Sequence, residues 1–183
     1  MININKKCLK ISLDTCKFIG SGREGKVYKT EDDYVLKVFK RKRNSLEEYK
    51  ILKMVEGSRY FPKVISIKGR YLLREYVDGV ALNEYIKKEG MPKELSYNLV
   101  YLFEEFKNMG FTRLDMSARH IYVGDNYKLK VIDPRKCYSK KVSFPKILLQ
   151  ELDEAKVLDD FIKGVIDISP ELAIKWSKKI SNR

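Results

Sequence analysis

Histidine occurs once in this chain of 183 residues, at position 120, and cysteine only at positions 8, 16 and 137. An odd number of thiols without C-x-x-C spacing builds neither a disulfide framework nor a zinc site, and a reducing compartment suits it best. No window approaches the roughly 18 apolar residues that a membrane span needs. Residues 1–7, MININKK, lack the apolar segment of an export signal, so a cytoplasmic protein is expected. Internal repeats and low-complexity segments are missing as well. Acidic residues are outnumbered, 25 against 38 basic ones, for a formal net charge of +13, which would attract phosphates, nucleic acid or an anionic surface. The basic residues are scattered, as on solvated faces. The one dense run, Lys40, Arg41, Lys42 and Arg43, reads better as a basic surface loop than as a nucleic-acid or ribosome contact. With 44% apolar and 34% charged residues, the composition is that of one globular domain or two small lobes.

Two aspartates stand in settings that packing alone would not call for. Asp115 lies in a turn after a run whose apolar residues at 95, 99, 102, 103 and 106 recur at helical spacing, and Asp133 ends the strand-like residues 128–132. Residues 121–123 and 129–132 flank the turn Gly124, Asp125, Asn126 and read as a β-hairpin, with one acid before its first strand and the other after its second. Two carboxylates carried in this way suit a site where one accepts a proton and the other holds a cation.

Upstream, glycines at 20, 22 and 25 spell G-x-G-x-x-G. Such glycines let backbone amides approach a polyphosphate and tolerate positive φ. The pattern also opens dinucleotide-binding βαβ units, but those need a helix at the third glycine, whereas Lys26, Val27, Tyr28, Lys29 and Thr30 alternate like a strand. Asp32 and Asp33 turn the chain into a second strand, residues 34–39, where Lys37 is flanked by Val35, Leu36, Val38 and Phe39. A lysine in so apolar a strand is costly to desolvate unless anions lie nearby.

A helix follows, with Ser45 and Glu48 spaced as a capping box and Leu46, Tyr49, Ile51, Leu52 and Val55 as its apolar face. Two strands are expected at 63–67 and 71–77, turned at Lys68, Gly69 and Arg70, and Asp78-Gly79 marks a boundary between residues 1–77 and 78–183. Helices are expected at 82–89, from Pro92 to a stop at Gly110, over 147–153, and from near Pro170 through Trp176, a core aromatic.

Taken together, residues 17–165 resemble the protein-kinase-like superfamily. The glycine stretch through Val27 is similar to that family's G-x-G-x-x-G-x-V, and the text around Lys37 to its V-A-I-K. Arg113, Leu114, Asp115 and on to His120 resemble H-R-D-x-x-x-x-N, and Asp133, Pro134 and Arg135, with the aspartates 18 positions apart, resemble D-F-G. Ser117 is similar to the Rio branch of atypical kinases. The resemblance implies an α+β, two-lobed protein-kinase-like fold, with a small antiparallel-sheet N-lobe carrying one helix (1–77) and a reduced helical C-lobe (78–183). It implies ATP with Mg2+ or Mn2+, bound by Gly20, Ser21, Gly22, Gly25 and Val27, and Lys37 holding the α and β phosphates. Glu48, with Glu47 as the alternative, would orient Lys37. The backbone of Glu75 and Val77 would bond the adenine edge, leaving Arg74 at the gatekeeper position, where it either pairs with a buried acid such as Glu48 or signals a register one residue off. Asp115 would be the catalytic base, and Asp133 with His120 would bind the metal.

Departures from the pattern bear on function. His120 replaces an asparagine that ligates magnesium, a change the resemblance shares with lipopolysaccharide-core heptose kinases. Leu114, Arg135, the missing A-P-E and the short Lys- and Ser-rich stretch after Asp133 suggest that activation-loop regulation is absent. The expectation is an ATP-dependent phosphotransferase acting on a hydroxyl of a folded protein or small molecule. An atypical Rio-like serine/threonine protein kinase leads, a sugar or small-molecule kinase comes second, and an inactive pseudokinase serving as a binding module is the rival from another class.

Overall fold

The computed structural model describes residues 11–181; Cys8 and the opening MININKK lie outside them. The chain is α+β, with a five-stranded antiparallel sheet, a three-stranded sheet and six helices among the described residues. Its contacts divide it into two units. The first runs to Val77 and takes back Asp133–Arg135, and the second holds Asp78–Ile132 and the chain from Lys136 onward. No helix among the described residues is long and apolar enough to cross a membrane.

In the first unit, β1 (Lys17–Gly22), β2 (Gly25–Lys29), β3 (Tyr34–Phe39), β4 (Val64–Lys68) and β5 (Tyr71–Glu75) lie in the order β1-β2-β3-β5-β4, every neighbouring pair antiparallel. Two tight turns use left-handed backbone, at Asp33 (φ 56°) and Gly69 (φ 58°). Side chains alternate across a strand, so Val35, Lys37 and Phe39 share one face of β3, all of them buried. Helix α1 (Lys42–Met54) turns Ser45, Glu48, Ile51 and Leu52 inward, the spacing of one helical stripe. On the other face of the sheet, Leu36 and Leu73 anchor a small cluster with Tyr28, Val38 and Ile65.

The expected cap of α1 is corrected by the structure. The helix starts at Lys42, so Ser45 lies within its first turn and Arg41 holds the cap position without a side-chain bond. The Ser45 hydroxyl donates instead to the Gly69 carbonyl oxygen at 2.6 Å, tying α1 to the β4–β5 turn. The basic run is therefore the exposed entry to this helix rather than a loop alone.

The second unit contains β6 (Val80–Ala81), α2 (Leu82–Glu89), α3 (Lys93–Asn108), β7 (Ile121–Val123), β8 (Leu129–Val131), α4 (Lys146–Glu154), α5 (Leu158–Ile168) and α6 (Pro170–Ser181). Strands β7 and β8 form the expected hairpin, its turn carrying Asn126 in the left-handed region, and β6 pairs on the far side of β7. Leu95, Leu99, Leu102, Phe103 and Phe106 of α3 are fully or almost fully buried. Helix α5 packs closely against α3 because position 164 is glycine: a Cβ there would lie 2.5 Å from Ser96 Cβ. Trp176 of α6 stacks on Phe161 of α5, ring centroids 5.9 Å apart. Helix α5 lies outside the helices expected from the sequence. Gly164 and the β-branched Ile162, Val165, Ile166 and Ile168 lower its intrinsic helix propensity, and burial of Phe161 and Val165 overrides that preference.

Candidate functional site

Within the first unit, the strand lysine meets the helix glutamate. Lys37 Nζ lies 2.6 Å from Glu48 Oε2 and 3.9 Å from Asp133 Oδ2. Lys37 is 9% exposed and Glu48 0%; Glu47, the alternative partner, is exposed. Complete burial pushes the Glu48 carboxyl above the usual carboxylate range, with the Lys37 ammonium pulling the other way. Glu48 Oε1 has no hydrogen-bond partner among the described residues. The Lys37 ammonium also sits 4.7 Å from the centre of the Phe39 ring, a favourable place for a cation.

Arg135, visible in the sequence only as a departure from D-F-G, completes this cluster. Its Nε donates to Asp133 Oδ1 (3.1 Å) and its Nη2 to Asp133 Oδ2 (3.4 Å), so one guanidinium takes both carboxylate oxygens. The same group reaches Glu48 Oε2 at 3.3 Å and Glu24 Oε2 at 3.4 Å, and it is 8% exposed. Glu24, in the turn between β1 and β2, also accepts from the Asn44 side-chain amide. Burial alone would raise the Glu24 carboxyl, but Arg135 and Asn44 outweigh it and hold it below the usual range. Three carboxylates from separate segments thus face two cations. Only the spacing of Arg135 from Asp133 is visible in the sequence; the convergence of Glu24 and Glu48 on it is tertiary.

Gly20, Ser21 and Gly22 end β1, Gly25 and Val27 lie in β2, and Val27 pairs in register with Lys37. None of these glycines has positive φ, which corrects the expectation of left-handed backbone in this stretch. Gly25 is required for another reason: a Cβ there would fall 2.0 Å from the Val38 carbonyl oxygen, while Gly20 and Gly22 face open space. At the end of β5, the Glu75 amide donates to Lys63 O at 2.9 Å. The Glu75 carbonyl oxygen, expected to serve an adenine edge, accepts from Arg74 Nη1 at 2.9 Å. Arg74 is buried, and its charge partly opposes the rise that burial imposes on the Glu48 carboxyl. Val77, the other expected hinge residue, is buried as well.

In the second unit, Asp115 is anchored at both oxygens. Its Oδ1 accepts from the Ile147 amide at 2.6 Å, and its Oδ2 lies 3.4 Å from Arg113 Nη2. Ile147 is in the first turn of α4, where unsatisfied amides and the helix dipole favour a carboxylate. Glu151 of the same helix accepts from the Ser117 hydroxyl at 2.6 Å and the Ala118 amide at 2.5 Å. Residues 113 and 114 donate backbone bonds to Cys137 and Val142. The loop carrying Asp115 is thereby pinned on two sides. Glu151 gave no local sequence signal, since its partners lie over thirty positions away. The His120 amide donates to Ser117 O and its carbonyl accepts from Ile132 N, both at 3.0 Å.

The resemblance implies a divalent metal, and the residues present do not fit one. Magnesium demands near-octahedral oxygen ligation at roughly 2.0–2.1 Å, yet both Asp133 oxygens are engaged by Arg135. Imidazole at position 120 is a poor ligand for so hard an ion. Among the described residues, no three His, Cys, Asp or Glu side chains are grouped to hold a metal. No family model and no curated protein matches this chain, so the reading of the site rests on its own residues.

Proposed function

We propose that this chain is an ATP-dependent phosphotransferase of the protein-kinase-like class, acting on a hydroxyl, with an atypical Rio-like serine/threonine protein kinase as the leading form and a small-molecule kinase as the next. The observation that carries the reading is the buried Lys37–Glu48 pair with Asp133 3.9 Å from the same ammonium. A buried lysine held in place by one carboxylate is a fixed point charge suited to nucleotide phosphates.

In this reading Lys37 holds phosphate oxygens and Glu48 orients Lys37. Asp115 Oδ2, 3.4 Å from Arg113 Nη2, accepts the acceptor's hydroxyl proton. The acceptor oxygen bonds to the γ phosphorus as the bond to the β-bridging oxygen breaks, and ADP leaves. The second reading, a nucleotide-binding module without transfer, is favoured by the commitment of Asp115 Oδ1 to the first turn of α4. Transfer of labelled γ-phosphate to the protein itself, to folded partners or to small hydroxyl compounds tests the proposal. Asp115→Asn is expected to lower turnover by orders of magnitude while ATP still binds. Unchanged turnover would refute the role of Asp115, and ATP binding without transfer in the wild type would select the second reading.

A further inference from the structure

Arg135 is a strongly placed charge that the proposed chemistry does not use. Three features define it: it forks across both oxygens of Asp133, it bridges to Glu48 and Glu24, and it is buried. Its guanidinium also lies 5.6 Å from the Phe39 ring centre, beside the face where Lys37 sits. Guanidinium stays charged under all ordinary conditions and presents five N–H donors in a rigid fork. Nε, Nη1 and Nη2 each use one hydrogen on the carboxylates, which leaves the second hydrogen of each terminal nitrogen beyond those pairs. A divalent ion on Asp133 would have to displace this fork or sit against a like charge.

We infer that Arg135 is a resident cation in the place where a divalent metal would otherwise neutralise Asp133, so that Lys37 and Arg135 together hold a nucleotide's polyphosphate without magnesium or manganese. This rests on the nucleotide reading proposed above, and the two are separable by experiment.

The test uses the full chain and ATP titrations followed by melting midpoint, in EDTA and in magnesium. The expected result is a midpoint rise of several degrees at saturating ATP that is the same in both buffers, with dissociation constants agreeing within about twofold. A rise that requires the metal would overturn the inference and leave the nucleotide reading standing. No rise in either buffer would overturn both. Manganese alone supplies an arm that needs no nucleotide. The wild type should show no manganese-dependent midpoint shift, whereas Arg135→Gln, which removes the cation shared by Asp133, Glu48 and Glu24, should gain one. Arg135→Lys, which keeps the charge, should remain unresponsive. Equal manganese responses in wild type and Arg135→Gln would overturn the inference. If Arg135→Gln does not fold, the wild-type arms still decide, because a manganese shift in the wild type contradicts a resident cation.

Discussion

Removing the Lys37–Glu48 pair one member at a time and then together separates its structural cost from its proposed use. At 2.6 Å and an effective dielectric of about 20, the attraction is about 6 kcal/mol. Desolvating the two ions costs several kcal/mol each, so the intact pair contributes little net stability. Stranding one member is different. Glu48→Leu leaves the Lys37 ammonium with Asp133 at 3.9 Å, and a loss of about 3–5 kcal/mol is expected. Lys37→Met leaves Glu48 with Arg135 at 3.3 Å. Because burial already raises that carboxyl, it can take up a proton, so this loss should fall at the lower end. The double variant Lys37→Met/Glu48→Leu strands neither charge and places apolar groups beside Leu72 and Phe39, both buried. Its loss should be below about 1 kcal/mol, since apolar replacement of a buried pair is often neutral. Urea unfolding of all four proteins reads these values, with midpoint temperatures shifting roughly 2–4 °C per kcal/mol for a chain of this length. A double variant that loses the sum of the single losses would refute the coupling on which this account of the pair depends.

Two further predictions concern the same unit. Gly25→Ala should destabilise by about 1–3 kcal/mol, as overpacking does, because the added carbon meets the Val38 carbonyl oxygen at 2.0 Å, whereas Gly22→Ala meets nothing within 4 Å. Similar urea midpoints for the two variants would contradict that distinction. The pH dependence follows from Glu48, whose folded-state carboxyl lies above its unfolded value of 4.5. Its contribution to stability is full below pH 4.5 and is lost as pH rises through the folded value. The stability advantage of the wild type over Glu48→Gln should therefore shrink from pH 4.5 toward neutrality, and an advantage that grows would show the opposite sign.

Much of the fold was legible in residues whose signals are local. The apolar run around Lys37 marks β3, Gly69 and Gly110 fall at left-handed positions that end a strand and a helix, and Pro170 opens α6 as proline does at a first helical turn. What was not legible depends on long-range contact. Ser45 looked like a cap because nothing local reveals that its hydroxyl would find Gly69 O. Helix α5 hid behind Gly164 and branched residues whose cost is recovered only by packing against α3 and α6. In the candidate site, Lys37, Glu48 and Asp133 could be named from the resemblance to the kinase-like pattern. The hold of Arg135 on Asp133, Glu48 and Glu24 could not, because it joins residues from three parts of the chain. Asp115 illustrates the same limit: its turn is plain in the sequence, while its bond to the Ile147 amide requires α4 to be in place.

Calorimetric titration of ATP into the wild type and into Lys37→Met/Glu48→Leu tests the central claim most directly, because the double variant should keep its fold and lose only the fixed charge. The account predicts saturable binding by the wild type and none by the double variant at the same concentrations. Equal affinity in the two, or no binding by a folded wild type, would contradict it.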